Sequence, residues 1–174
     1  MKTIILNTLD TIANLLLWII AAIVIFSFVN MAKADEALTQ GERIVALTIL
    51  GEARGEGERG MFAVASVIRQ RSIERKISPA KVCLQPWQFS IWNAGKGKVK
   101  KESELYYLWK SKSTPYARWL AKWMCGEPSP SNPPYWPNIT GKANHYCTLK
   151  CNPYWAKGEK PTKIIGNHKF YRLE

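Results

Sequence analysis

Two apolar runs separated by a short charged stretch rich in glycine constrain the fold of this chain more than any other feature. The runs are residues 44–50 and 61–68, and the stretch between them opens with GEARGEG at residues 51–57. Thr39 followed by Glu42 three residues later is typical of a capping box, so a helix is predicted to begin there. The i, i+3, i+4, i+7 spacing of apolar residues in the second run predicts another helix.

Glu52 continues the apolar stripe of the first predicted helix, because Val45, Ile49 and position 52 follow at i, i+4 and i+7. One interpretation is a solvated residue at a helix end. The other is a general acid whose pKa is raised by desolvation, as the acids of glycosidases require. Glu56 lies four residues further on, but Gly55 is expected to end the helix before the two carboxylates share a face. Spacing alone leaves both interpretations open.

The charge of the chain restricts its partners. It carries 25 Lys and Arg against 13 Asp and Glu, a formal net charge of +12, which points to a polyanionic surface. Nucleic acid, anionic lipid and acidic cell wall polymers all satisfy that condition, and charge does not choose among them.

The N-terminal sequence helps to distinguish among these partners. Residues 15–29 form an almost unbroken apolar run, and Ala32-Lys33-Ala34 has the form of a signal-peptidase site. Residues 1–34 are therefore predicted to be a hydrophobic helix that serves as a signal peptide cleaved near Ala34, or as an anchor that tethers the protein to the inner membrane. Residues 35–174 are predicted to be exported, to the periplasm or facing the cell wall, so no nucleic-acid partner is expected.

Four cysteines fit an oxidising compartment, in which an even number of cysteines favours disulfides. The hypothesis is one bridge between Cys83 and Cys125 and a second, closing a small loop, between Cys147 and Cys151. The competing interpretation is a zinc site, since His145 lies beside the second pair. A structural zinc site needs another well-spaced pair of ligands, so zinc is the weaker interpretation.

Residues 85–93 are dense in aromatic and amide side chains and follow no clean period. Exposed, such a segment suits sugar binding, because flat rings stack on pyranose faces while amides bond to hydroxyl groups. Alternatively, Trp87, Phe89 and Trp92 belong to the core. Both interpretations stay open, and different rings of this segment can serve different roles.

Helices and a small sheet are predicted for the rest of the chain. A short helix is expected after Ser78, and a longer one over Glu102–Lys110. A further helix begins near Pro115 and carries an apolar stripe that is expected to pack in the core, namely Tyr116, Trp119, Leu120, Trp123 and Met124. Residues 144–171 predict two or three short antiparallel strands. The fold class is therefore α+β, with a helical lobe first and a small β lobe last.

Several motifs resemble the SleB-type cell wall hydrolases, the spore cortex-lytic enzymes and their bacterial and phage relatives. The opening signature of that family is matched by residues 52–56, 60–68 and Arg71, and its later motifs by residues 88–90, 144–146 and 166–171, in order. The resemblance runs from about Glu42 to Arg172. It implies that residues 35–174 form a lysozyme-like catalytic domain that cleaves the glycan strands of peptidoglycan.

The resemblance also assigns roles to residues. It places the single catalytic acid at Glu52, which is sufficient for a lytic transglycosylase, and it implies no metal and no cofactor. Glu56 is a candidate for orienting Arg54 or a loop backbone near the substrate. The remaining candidates for substrate binding are Gln88, Phe89, Ser90, His145, Tyr146, His168 and Tyr171.

Two alternatives come from other classes of protein. The first is a metal-dependent N-acetylmuramoyl-L-alanine amidase that acts on the peptide stem, with His145, His168 and the cysteines as possible ligands. The second is a basic, non-enzymatic protein that binds the cell wall and for which Glu52 is dispensable. Salt would weaken the binding of such a protein.

Overall fold

The computed structural model describes Ile19, residues 37–126 and residues 137–174, and the folded unit is Leu38–Glu174. The helices of this unit are α1 (Gln40–Ala53), α2 (Gly57–Arg75), α3 (Pro79–Leu84) and α4 (Thr114–Cys125). The 3-10 helices are η1 (Ser90–Trp92), η2 (Glu102–Lys110) and η3 (Tyr154–Ala156). The strands are β1 (His145–Thr148), β2 (Lys163–Ile165) and β3 (His168–Tyr171).

Helix α1 is the centre of the unit and begins at the predicted capping box. The backbone N–H of Thr39 donates to Oε2 of Glu42 at 2.7 Å, and the backbone N–H of Glu42 donates to Oγ1 of Thr39 at 3.3 Å. All side chains from Ile44 to Leu50 are buried, because α2, α3, α4 and η2 pack around the helix. From Ile44 onward the helix therefore has a core environment on every side until its last turn, where Glu52 lies.

The three strands form one antiparallel sheet in the order β1-β3-β2. The sheet packs on α2 through a small apolar cluster, made of Ala63, Val67, Ala143, Ile165 and Phe170. The prediction of an α+β fold with helices first and a small antiparallel sheet last is confirmed. The predicted N-terminal hydrophobic helix and its cleavage site lie outside the described residues. Within the described part of the chain, no helix is long and apolar enough to cross a membrane.

Helix α4 packs most of its predicted apolar stripe in the core: Leu120 is buried, and Tyr116, Trp123 and Met124 pack against the core cluster. Ala117, Leu120 and Ala121 are buried against α1, whereas Trp119 of the predicted stripe is 44% exposed. The small alanine side chains let the two helices approach closely, and this moves the large rings to the margin of the contact. There Trp119 stacks on its neighbour Tyr116 with ring centroids 5.5 Å apart.

The segment Glu102–Lys110 is a 3-10 helix and not the regular α-helix that the sequence predicts. Its buried side chains are Leu105 and Leu108, three residues apart. Three residues complete one turn of a 3-10 helix, so this winding directs both leucines to the same side.

The prediction of two disulfides is wrong, because all four cysteines are free thiols. Cys83 is fully buried in the core, and this burial raises the pKa of its thiol to about 12. Cys125 is exposed at the end of α4. In the other pair, the thiol of Cys147 lies 3.7 Å from the backbone carbonyl oxygen of Cys151, so it is directed to the main chain and not to the second sulfur.

Candidate active site

The carboxylate of Glu52 lies in the last turn of α1, partly exposed, and accepts hydrogen bonds from two distant segments. Ser90 Oγ donates to Oε1 at 3.0 Å, and the backbone N–H of Ile91 donates to the same oxygen at 3.3 Å. The hydroxyl of Tyr146 donates to Oε2 at 2.9 Å. Each carboxylate oxygen thus has a fixed donor, and the group is held in one orientation.

Gly51 allows the segment that carries Ser90 and Ile91 to approach α1. A Cβ atom at position 51 would overlap the side chain of Ile91. A larger residue would therefore push Ile91, and with it the two donors to Oε1, away from Glu52. The glycine immediately before the acid is a requirement of close packing here.

Tyr146 approaches Glu52 from the sheet. Burial, together with the neighbouring Glu52 carboxylate, raises the pKa of Tyr146 well above its ordinary value, so the hydroxyl stays protonated and acts as a donor. The ring is held by Phe170, whose centroid is 5.8 Å away, and by the edge of His168 at 5.3 Å. The sheet therefore positions one of the three donors to Glu52.

Arg71 of α2 connects the two segments that carry these donors. Its Nε donates to the carbonyl oxygen of Asn144 at 2.6 Å, and its guanidinium lies over the ring of Phe89, 5.3 Å from the centroid. Burial lowers the pKa of Arg71 to about 10, although the nearby Tyr146 and Glu52 favour its charged form. The guanidinium thus braces the residues that precede Tyr146 and Ser90.

Glu56, the other carboxylate of the glycine-rich stretch, binds the turn between β2 and β3. The backbone N–H of Asn167 donates to its Oε2 at 2.7 Å, and Nδ2 of Asn167 donates to its Oε1 at 3.1 Å. Burial, the largest single effect, raises the pKa of Glu56, but the bonds from Asn167 and the nearby His168 together lower it. These contacts hold the backbone of the turn at Asn167 against Glu56.

The aromatic segment 85–93 divides between the two interpretations left open by its sequence. Phe89 and Trp92 are 1% and 2% exposed and belong to the core, and Nε1 of Trp92 donates to Oγ1 of Thr48 at 2.7 Å. The expectation that Phe89 binds substrate is corrected, since a ring beneath Arg71 has no surface to offer. Gln88 is partly exposed and accepts from Arg75, whereas Trp87 is 66% exposed.

The β-sheet residues expected to bind substrate are mostly packed inside the protein. His168 and Tyr171 are only 5% and 4% exposed, because β3 is the central strand of the sheet, so their expected contact with substrate is corrected. His145 is partly exposed, stacks at 5.0 Å on Trp155, and lies 2.9 Å from Oδ1 of Asn144. Burial, with Arg71 and Arg75 nearby, lowers the pKa of His145. Of the sheet candidates, Tyr146 alone contacts Glu52 among the residues described.

The ligands considered for a metal-dependent amidase are not assembled. Across residues 37–126 and 137–174, no three His, Cys, Asp or Glu side chains come together as a possible metal site. His145 contacts Asn144 and Trp155, and His168 contacts Tyr146 and Phe170.

Two contacts at the site have no side-chain signal in the sequence. The donor from Ile91 is a main-chain N–H, which any residue would supply. Asn167 was part of a motif, but its bond to Glu56 spans 111 positions of the chain. The sequence feature that indicates this contact is Gly166, because a glycine favours a tight turn. In the structure its φ is +55°, and the turn directs the N–H of Asn167 to Glu56.

Comparison with known proteins places this geometry in a family. Residues 55–171 match the family described as Cell Wall Hydrolase, so the chain belongs to the cell wall hydrolase family. Glu52 lies three residues before the matched range. Membership identifies the chain as a cell wall hydrolase, which implies peptidoglycan as its substrate and a location facing the cell wall.

Two solved structures share the fold. One is the catalytic domain of the Bacillus cereus SleB protein, with 21% identity and a TM-score of 0.50, covering 79% of this chain and 94% of that domain. The other is the catalytic domain of the germination-specific lytic transglycosylase SleB from Bacillus anthracis, with 22% identity and a TM-score of 0.52, covering 79% and 98%. No curated protein sequence matches the chain at a significant level. The predicted resemblance to SleB-type hydrolases is confirmed.

Proposed function

We propose that the protein cleaves the glycan strands of peptidoglycan as a lytic transglycosylase, with Glu52 as its single catalytic acid and base. The observation that carries the proposal is the arrangement around Glu52, a partly exposed carboxylate whose two oxygens are oriented by Ser90, Ile91 and Tyr146. Glu56, the other carboxylate of the glycine-rich stretch, has both oxygens bound to Asn167. This arrangement supports a mechanism in which Glu52 is the single catalytic carboxylate and Glu56 has a structural role.

The chemistry requires two proton transfers, one from Glu52 and one back to it. The Glu52 carboxyl donates its proton to the glycosidic oxygen as the bond from that oxygen to C1 of the muramic acid breaks. The resulting Glu52 carboxylate then accepts the proton of the muramic 6-hydroxyl, whose oxygen bonds to C1 and closes a 1,6-anhydro ring. Glu52 is restored and water is not consumed, so no second carboxylate is needed to activate a water molecule.

The three donors fit this cycle because they act on the carboxylate state. Tyr146 remains protonated and hydrogen-bonds to Oε2, which stabilises the negative charge on Glu52 between the two proton transfers. Ser90 and Ile91 do the same at Oε1. When Glu52 is protonated for the first step, the same three donors keep the carboxyl group in the same position and orientation.

The test is mass spectrometry of the fragments that the protein releases from purified sacculi. We expect anhydro-muramic ends from the wild-type chain, and a loss of rate of about 10²- to 10⁴-fold in Glu52→Gln. The control is Glu58→Gln, which changes an exposed acid six residues away and is expected to keep full activity. Reducing ends would show hydrolysis, free stem peptides would show an amidase, and full activity of Glu52→Gln would refute the assignment.

A further inference from the structure

A tight turn directly before the active-site segment carries a tryptophan in a backbone conformation that favours glycine. The N–H of Gln88 donates to the carbonyl oxygen of Gln85 at 3.2 Å, which closes a four-residue turn. Pro86 occupies the second position, and Trp87 occupies the third with a φ of +67°. Proline at the second position and positive φ at the third define a type II turn, in which the third residue is ordinarily glycine or asparagine.

Packing in the core does not account for Trp87. The left-handed conformation is unfavourable for a residue with a Cβ atom, because that atom comes too close to the backbone. The indole of Trp87 is 66% exposed, so burial offsets little of this cost. Trp92, five residues later, is 2% exposed and hydrogen-bonded to Thr48, and is a core tryptophan in the same segment. Strain that brings no burial is a feature of functional sites.

The turn is rigidly held. Arg75, at the end of α2, donates through Nη2 to Oε1 of Gln88 at 2.9 Å, and through Nη1 to Oε1 of Gln85. One guanidinium therefore clamps both ends of the turn, while Pro86 fixes its second position. The exposed ring of Trp87 is therefore held in a defined place, and less conformational entropy is lost when a ligand binds to it.

The turn adjoins the catalytic carboxylate. Phe89, which follows the turn, is anchored in the core under Arg71, and the next residue, Ser90, donates to Glu52. Three residues separate Trp87 from Ser90, so their Cα atoms are at most about 11 Å apart. The ring of Trp87 is therefore carried by the chain segment whose next residues supply two of the three donors to Glu52.

We infer that Trp87 is a stacking platform for a pyranose ring of the glycan strand, at a subsite beside the bond that Glu52 cleaves. This inference rests on the proposed function and deepens it. The flat indole ring packs well against the apolar face of a sugar ring. The polar side chains at the two ends of the turn are already hydrogen-bonded to Arg75. The subsite places a sugar ring and takes no part in proton transfer.

The test measures binding of chitohexaose and of purified sacculi to Trp87→Gly, Trp87→Ala and Trp87→Phe, each in a Glu52→Gln background that prevents cleavage. We expect Trp87→Gly and Trp87→Ala to bind about 3- to 10-fold more weakly, and Trp87→Phe to keep most of the affinity. Glycine also relieves the backbone, so the Tm of Trp87→Gly is expected to equal or exceed that of its parent.

Loss of affinity without loss of Tm is the signature that a structural role would not produce. Unchanged affinity in Trp87→Gly, or affinity and Tm that fall together, would overturn the inference. Trp119→Ala is the control, since it removes a tryptophan that is also exposed but lies on α4, and an equal loss there would show general adsorption to aromatic rings and overturn the subsite. Failure of the proposed function would appear separately, as the absence of glycan fragments from the wild-type chain.

Discussion

The last turn of α1 and the turn that follows it each carry a glutamate, and the two carboxylates have different surroundings. Glu52 takes its donors from three residues on two segments, Ser90 and Ile91 on one side and Tyr146 on the other. Glu56 takes both of its donors from Asn167 alone. The first arrangement orients a partly exposed acid, and the second ties helix α2 to the sheet.

The difference shows that residue type and position leave the role of a carboxylate undetermined until its partners are known. Four residues of chain separate the two acids, and both belong to the same glycine-rich stretch. The donors of Glu52 orient its carboxylate from two distant segments, whereas the two bonds of Glu56 join it to a single residue in the turn of the sheet. Variants that remove one partner at a time therefore separate catalysis from stability.

Among variants that remove one partner of these carboxylates, the largest effect is expected from Tyr146→Phe, which deletes a donor to Glu52 and leaves the ring in place. A hydrogen bond to a charged group contributes about 1.5–3 kcal/mol, so kcat is expected to fall about 10- to 100-fold with little change in KM. Tm should stay close to that of the wild type, because the ring still packs on Phe170 and His168. Steady-state release of soluble fragments from sacculi measures the rate.

Tyr154→Phe is the matched control for this variant. Its ring is 92% exposed, so loss of that hydroxyl is expected to leave kcat unchanged. If Tyr146→Phe were as active as this control, the donor to Oε2 would have no part in the chemistry. The hydrogen bonds of Glu52 would then not distinguish it from Glu56 as a catalytic group.

A smaller effect, on stability alone, is expected from Gly166→Ala. Gly166 has a φ of +55°, and a Cβ atom there would overlap the carboxylate of Glu56. Gly158→Ala is the control, since its φ of +84° imposes similar strain but a Cβ there has nothing within 4 Å. Both should lower the free energy of unfolding by about 1–2 kcal/mol through the backbone, and Gly166→Ala by more. Equal values in denaturant titrations would show that Glu56 yields freely.

The smallest effect concerns pH. The pKa of Glu56 is lower in the folded chain than the ordinary 4.5, so its carboxylate stabilises the fold above that pH, and this contribution is lost as the pH falls below it. The Tm difference between the wild type and Glu56→Gln is therefore expected to be largest near neutral pH and to shrink in acid. Thermal unfolding from about pH 6 to about pH 3 measures it, and a constant difference would contradict the role of the charge.

Features set by neighbours in the sequence were predicted well. Thr39 and Glu42 form the predicted capping box, and Glu52 lies in the last turn of the first helix, in line with its spacing. The small antiparallel sheet near the C-terminus followed from short apolar segments between turns. The capping box depends on contacts within a few residues, and the strands are marked by local apolar segments between turns, both of which a sequence pattern records directly.

Features set by packing between distant segments were not predictable in the same way. Trp119 belongs to a regular apolar stripe, yet the close approach of α4 to α1 through alanines leaves it exposed. The bond from Tyr146 to Glu52 spans 94 positions, and the positive φ of Trp87 contradicts the preference of its residue type. A sequence pattern names such residues as candidates, but only tertiary contacts decide which of them meet.

The pairing of β1 with β3 determines whether the side chain of Tyr146 faces Glu52. Tyr146 faces Glu52 because it lies opposite Phe170 in the sheet, and successive side chains of a strand point to opposite faces. A shift of this pairing by one residue would send the hydroxyl to the far side of the sheet and bring a neighbour of Tyr146 to the acid. Insertion or deletion of a single amino acid inside β1 is thus a far more severe lesion for this enzyme than its size implies.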